Sequence, residues 1–411
     1  MNMLVRNVKE HTPLGLVFLC CWLTYLTAYL CRVNFSIAMG ALAEGLGIPV
    51  DRLGTIGAIF FFVYAVGQLV NGFLGDRIHP IKFLLLSLTG MAACNIAVAL
   101  CTSFFSILLF WGMNGYFQAI VWSTIIRILA NTVASNRRAS ASTAISTSIA
   151  AGYFVSWSVL GQLLKGHSHT LYFLVPAACA LVMAAVWLVI ARQFKGMPAQ
   201  QEGYVKPRSI GETVRFIRQK GLYLLCLVSI LQGLMKEGVA FWFPLLVNDK
   251  LALPAVSPAL LMAVIPAANL IGMFLSKGML LRTRLTPAAI LLFSFVLMTC
   301  ACTALIFAGG GLLPIALIAV VSIFAYAGNT LLMAYIPMQF AKENTVASLV
   351  GIFDCASYAG AAISAFLLGS EMQASGLSFA AKGWTLAGLL AAAVCLILLM
   401  KERHQKAERC L

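Results

Sequence analysis

The chain has 411 residues, 61% of them apolar and only 10% charged, and its mean hydropathy is +0.94. That composition excludes an ordinary soluble enzyme and identifies a polytopic membrane protein. The formal charge of +15, which in a soluble chain would suggest nucleic acid, has to be sorted loop by loop before it carries meaning.

Apolar runs of spanning length fall at 14–40, 54–74, 81–101, 104–128, 141–163 and 170–192, and again at 221–247, 257–281, 286–307, 313–338, 346–368 and 379–401. The expected fold is all-α, with twelve transmembrane helices in two pseudo-symmetric six-helix bundles. Residues 1–193 and 221–411 form the halves, and 194–220 form a cytoplasmic linker. The first run is too long for a signal-peptide core and further runs follow it, so it is expected to direct insertion itself. With the N-terminus inside, 22 of the 28 Lys and Arg residues fall in cytoplasmic segments, against Arg52, Lys165, Lys250 and Lys382 outside. That bias predicts a multi-pass protein of the cell membrane with both termini cytoplasmic. The surroundings expected are the lipid bilayer, with no nucleic-acid partner, no cofactor and a monomeric state.

In the first run an always-charged guanidinium, Arg32, stands inside apolar sequence. An arginine at the centre of a spanning helix costs roughly 2.5 to 3.5 kcal/mol, so it faces a partner or a water-filled cavity. Tyr25, Tyr29 and Arg32 stand at i, i+4 and i+7 and share one helical face. We read this face as anion-binding. The competing reading is that Arg32 reaches the membrane surface along its stem. The next charge, Glu44, lies about 16 Å of helix away, more than twice the reach of the side chain.

The second run carries Tyr64, Gln68 and Asn71 on one face and closes with Gly72-Phe-Leu-Gly75-Asp76-Arg77-Ile-His79-Pro80. Its glycines allow close helix approach, and Asp76, Arg77 and Lys82 can latch the ends of neighbouring helices with charge-assisted bonds; a merely topogenic basic loop is the alternative. Asn114, Gln118 and Trp122 share a face of the fourth run. In the linker, Ser209-Ile-Gly-Glu212 is a capping-box pattern that predicts a short helix through Thr213–Gln219, lying along the lipid headgroups.

The seventh run holds Lys236 and Glu237. As neighbours they diverge by about 100° on a helix, so they are not expected to pair face to face; Glu237 then needs another partner or a proton. Ser322, Tyr326, Asn329 and Met333 stripe the tenth run, and Asp354 with Tyr358 lies on one face of the eleventh, which makes a Lys236–Asp354 pair possible. Arg32 and Lys236 are 204 residues apart, as are Trp122 and Tyr326. Such repeats are a transporter signature and suggest that the two cations converge on one cavity; each polar stripe alone also suits helix–helix contact. Of the twelve cysteines eleven lie in apolar runs and read as small buried hydrophobes. No nucleophile triad, phosphate-cradling Gly-Lys loop or metal cluster is found, and the chain is not expected to be an enzyme.

At these residues the chain resembles the major facilitator superfamily and, within it, the organophosphate:phosphate antiporter family of glycerol-3-phosphate and hexose-phosphate exchangers. Tyr25, Tyr29 and Arg32 match the family's Tyr-x3-Tyr-x2-Arg, and Asn34 and Phe35 continue it. Tyr64 stands at the family's spacing from Gly72, Asp76, Arg77 and Pro80. Gly115-Tyr-Phe-Gln118-x3-Trp122, followed by Arg127 and Arg138, is similar to the fourth-span motif, and Tyr326 and Tyr358 match cavity tyrosines. The departures are Lys236 where exchangers carry a second arginine, Val33 and Gln68 at positions that are lysine in glycerol-phosphate members, no fifth-span histidine, and Phe241 in place of an acid. Lys236 cannot make a bidentate fork on phosphate, so a monoanionic or zwitterionic organic acid also fits.

The resemblance implies an alternating-access carrier exchanging an organophosphate, such as glycerol-3-phosphate or a sugar phosphate, for phosphate. A small anionic substrate would meet Arg32, Lys236, Tyr25, Tyr29, Tyr64, Gln118, Trp122, Tyr326 and Tyr358. Asp354, Glu237, Gly72, Asp76 and Arg77 would serve coupling and gating. Two alternatives stay open: proton-coupled organic-acid symport of the anion:cation symporter type, and a transporter-like sugar-phosphate sensor.

Overall fold

A computed structural model describes residues 14–48, 50–164, 166–193, 209–249, 258–283, 285–309 and 311–410. Among them the chain is helical throughout, with twelve helices long and apolar enough to cross a membrane. These are Gly15–Leu46, Thr55–Gly75, Pro80–Leu100, Phe104–Thr132, Ser135–Leu163, His169–Ala191, Tyr223–Ala240, Leu260–Arg282, Pro287–Phe307, Leu312–Met338, Val346–Ser364 and Leu377–Glu402. Each coincides with an apolar run. In hydrocarbon every backbone polar group must be met within the segment, which leaves the helix as the only open-ended solution.

The fifth span begins at Ser135, earlier than its hydropathy suggests, through a 3₁₀ turn Ser135–Arg137. Its hydroxyls explain how so polar a stretch continues as helix. Ser142 and Thr143 donate to the Ala139 carbonyl at 3.0 and 3.1 Å, and Ser146 donates to Ser142 O at 2.8 Å. These three hydroxyls are thereby satisfied on their own helix.

The helical stretch Val346–Cys410 carries two spans, Val346–Ser364 and Leu377–Glu402, as expected. A straight rod is excluded. A Cβ placed on Gly238 would meet both Ser364 and Trp384, yet twenty residues of straight helix span about 30 Å. The run therefore reverses between those residues and contributes two spans.

The chain divides into two compact units, one of Met1–Ser135, Ala151–Ile210 and Pro337–Gly351, the other of Asn136–Ala150, Gly211–Ile336 and Ile352–Leu411. In the first, Trp111 stacks between Phe35 and Phe60 with ring centroids at 4.9 and 5.3 Å, and Trp187 donates its indole N–H to Thr24 at 2.7 Å. In the second, the seventh and eleventh spans touch backbone to backbone: a Cβ on Gly233 would overlap the Ser357 carbonyl, and one on Gly360 the Ile230 carbonyl. Small residues at such crossings let helices approach where lipid supplies no hydrophobic drive.

The short helix expected in the linker forms as Ile210–Gln219, with Thr213, Phe216 and Ile217 buried and Arg215 and Arg218 exposed. The stretch 194–208 lies outside the described residues. Most of the cysteines are buried or half-buried as expected, but Cys300 is exposed.

Candidate functional site

In the first unit the site is built around Arg32, partly buried in the middle of the first span. Its Nε donates to Gln118 Oε1 at 2.9 Å. The guanidinium carbon lies 4.3 Å from the Tyr64 ring centroid, 5.0 Å from Tyr29 and 5.8 Å from Phe60. Arginine suits this setting because its delocalised charge is weakly hydrated and stacks on aromatic faces. Tyr25 packs edge-on to Tyr29 at 5.2 Å and lies 4.4 Å from Trp122. The first-span face read from the i, i+4, i+7 spacing is thus real, and Tyr64, Gln118 and Trp122 join it.

Gln118 is held from behind. Its Nε2 donates to the carbonyl of Cys31 at 2.8 Å, and Asn114 Nδ2 donates to the same oxygen at 2.9 Å. The orientation of the Gln118 amide follows, since one end must accept from Arg32 and the other donate to Cys31. The network continues inward: Asn95 Nδ2 reaches Asn114 Oδ1 at 3.5 Å, and Asn34 Nδ2 donates to Asn95 Oδ1 at 2.8 Å and to Tyr172 O at 3.0 Å. Buried amide chains of this kind fix one arrangement when their members are satisfied. The helix of the fourth span is interrupted just after Gln118, ending there and resuming at Val121. Gln68 donates to the Tyr64 hydroxyl at 2.7 Å and so sets the ring beneath Arg32.

At the end of the second span Asp76, 3% exposed, caps the helix that starts at Val346. Its carboxyl accepts from Ala347 N at 3.1 Å, from Ser348 N at 2.9 Å and from the Ser348 hydroxyl. These are the unmet amides of a helix N-terminus, where negative charge is favoured. Burial nevertheless dominates and holds the Asp76 carboxyl above the usual range, with the Ser348 and Ala347 donors and Arg127 pulling the other way. Gly72 and Gly351 allow the approach, each lying against the other's backbone. Arg77 is exposed and donates to Phe73 O of its own helix, whereas Arg127 donates to the carbonyls of Gly75 and Ile78. Burial, with Lys82 and Arg127 nearby, lowers the His79 pKa.

In the second unit Lys236, 8% exposed, contacts Glu237 Oε1 at 2.7 Å and donates to Asn329 Oδ1 at 3.1 Å. This corrects the expectation that the neighbours diverge. The 100° rule governs Cα–Cβ directions, and a four-carbon stem opposite a two-carbon one bends far enough to close the pair. The ammonium lies 5.5 Å from the Tyr326 ring and 6.0 Å from that of Tyr358. Gln232, one turn before Lys236, donates to Ala325 O at 3.2 Å and receives the Ser357 hydroxyl at 3.3 Å. Asp354, one turn before Tyr358, is buried. Lys236 also borders a small cleft lined by Ile265, Val321, Ser322, Ala325 and Tyr326. Just beyond Asn329 the tenth span becomes π-helical over Leu331–Tyr335, a local widening common at functional positions.

Each unit therefore gathers its own expected residues. Reading the sequence missed Asn95 and Ser348 and underrated Arg127, Asn329 and Gln232. An amide in mid-span, as costly there as any polar group, was the available signal for Asn95.

Three comparisons bear on this arrangement. A model of the Major Facilitator Superfamily matches residues 21–365. A "Probable hexose phosphate transport protein" of Chlamydia pneumoniae is 30% identical over 122 residues, which are 30% of this chain and 27% of that protein. The "Phosphoglycerate transporter protein" of Salmonella typhimurium is 23% identical over 307 residues, 67% of this chain and 65% of that one. The matches with the hexose phosphate relatives thus span about a quarter of their length. The crystal structure of the Major Facilitator Superfamily transporter FucP in its outward conformation superposes with a TM-score of 0.68 at 14% identity, covering 92% of this chain and 97% of that one.

Proposed function

We propose that this chain, which belongs to the Major Facilitator Superfamily, is a carrier that exchanges a small organic anion of the organophosphate class for phosphate across the cell membrane. The observation that carries the proposal is the setting of Arg32. A cation in the middle of an apolar span is braced by an amide that is itself fixed from behind, with aromatic faces around it. Such pre-organisation has no structural purpose for a lipid-facing residue, and it suits an anion that must shed water on arrival. Lys236, buried in the seventh span, is the second cation of this reading, and the tyrosines, Gln118 and Trp122 select among anions. The relatives named for hexose phosphate and phosphoglycerate transport favour the organophosphate class.

In this reading residues 1–193 and 221–411 act as two six-span halves joined by 194–220, both termini lie in the cytoplasm, and the working unit is a monomer. Asp76 on the amides of Ala347 and Ser348 serves as a latch that releases during the cycle. A second reading, proton-coupled uptake of an organic acid, draws on the carboxylates of Glu237 and Asp354 within the spans.

Counterflow in proteoliposomes separates these. Phosphate exchange without a proton gradient supports antiport, gradient-driven uptake supports symport, and binding without flux supports a sensor. Arg32→Lys, which loses the planar fork and the stacking, is expected to abolish transport by either carrier mode. Full exchange in that variant would overturn the role given to Arg32.

A further inference from the structure

The two cations are treated differently by their own surroundings. Gln118 accepts from Arg32 through a neutral oxygen, whereas Lys236 is in contact with a full carboxylate supplied by the next residue of its own helix. Adjacent side chains leave a helix in directions that do not favour this meeting. Both stems have to bend to make it, in a place where both residues are largely buried, 8% and 12% exposed.

An anion approaching Lys236 competes with Glu237 for the same ammonium. When a substrate anion wins, the carboxylate is displaced. When no anion competes, the carboxylate returns. The ammonium is a compact point charge with three donors, one already used on Asn329, so partners can be traded without rebuilding the site. From this we infer that Glu237 is a built-in counter-anion, which lets the carrier reorient without substrate and sustain net flux in addition to exchange. Each cation stripped of its anion adds to the cost of that empty step, because an isolated charge within the membrane interior is expensive; Glu237 removes the share due to Lys236, while Arg32 is braced by Gln118 and by aromatic faces. Here Lys236 carries its compensation with it through every stage of the cycle. The inference rests on the anion-exchange reading above and adds an activity to it.

The test uses the full chain in proteoliposomes loaded with radiolabelled inorganic phosphate, with a potassium–valinomycin clamp to dissipate charge. Efflux is measured into medium containing phosphate (exchange) and into chloride medium free of phosphate and organic anions (net flux). For the wild type, net flux within about tenfold of exchange is expected. For Glu237→Gln the ratio of net flux to exchange should fall by about 100-fold, the rate equivalent of carrying an unpaired cation through the interior. Glu237→Asp, which keeps the charge, should preserve most of the ratio. Exchange in the wild type with net flux at or below about one hundredth of it, or an unchanged ratio in Glu237→Gln, overturns the inference and leaves the exchange reading standing. Failure to exchange phosphate against phosphate or any organophosphate overturns both. The wild-type ratio decides the matter even where the glutamine variant does not fold.

Discussion

Replacing Gln118 by glutamate changes one atom's worth of shape and the entire electrostatics of the Arg32 site. The amide oxygen lies 2.9 Å from Arg32 Nε, so the introduced carboxylate falls directly on the guanidinium. At an effective dielectric of about 20, two unit charges about 4 Å apart attract by about 4 kcal/mol. An incoming anion has to compete with that attraction. Part is offset by the loss of the amide's donation to Cys31 O, worth about 1 kcal/mol, while Asn114 continues to serve the same carbonyl. The expected net effect is a rise of about two to three powers of ten in the phosphate concentration that half-saturates self-exchange. Lowering the pH protonates the introduced carboxyl and restores a neutral partner, so affinity should recover toward the wild-type value in acid. Gln118→Met, lacking both charge and acceptor, should show a smaller loss with no such recovery. A half-saturation value within about threefold of wild type at neutral pH would refute the assignment of Arg32 and Gln118 to one anion site.

The remaining expectations concern the helix crossings and the latch. Gly233→Ala places a Cβ on the Ser357 carbonyl and should destabilise the protein in detergent by about 1–3 kcal/mol, whereas Gly211→Ala in the short linker helix meets nothing within 4 Å and should be neutral or slightly stabilising; equal melting temperatures for the two would refute the backbone-contact reading. For Asp76 the sign follows from its raised pKa. Its contribution is full below the ordinary carboxyl range and fades as pH rises through the raised value, so wild type should lose stability relative to Asp76→Asn on going from acid to neutral pH. Thermal unfolding at a series of pH values checks this, and a difference that grows in favour of wild type with rising pH would show that the Ser348 and Ala347 donors outweigh burial.

The fold was legible because membrane spans are written in the crudest code a sequence has, about twenty apolar residues between polar breaks. The first-unit site was legible for a related reason. Arg32 is costly where it stands, and the spacing of Tyr25 and Tyr29 puts them on its face. What escaped were features carried by backbone or by side-chain length. The amides of Ala347 and Ser348 that receive Asp76 have no sequence signature, since every residue but proline has an N–H and only the start of a helix leaves it unmet. For the same reason the bonds of Arg127 to the carbonyls of Gly75 and Ile78 have no sequence signature. Backbone directions alone argue against a Lys236–Glu237 pair, a rule that holds for short side chains and fails for a lysine. The eleventh and twelfth spans are legible as two from their separate apolar runs.

The difference between the two cations has a consequence for the anion. A guanidinium spreads its charge over a plane, is weakly hydrated, and is stabilised by the faces of Tyr64, Tyr29 and Phe60. An ammonium concentrates its charge and demands a point partner, which Glu237 provides. Lys236 therefore offers its charge to an anion only at the cost of displacing a carboxylate. Under the exchange reading, an anion that comes to Lys236 gains only the difference between its own bond to the ammonium and the bond to Glu237 that it breaks. On that reading Lys236 selects for a charged group less strongly than a cation with no carboxylate beside it would. This follows from the identity of residues 236 and 237, whatever the carbon skeleton attached to the charge.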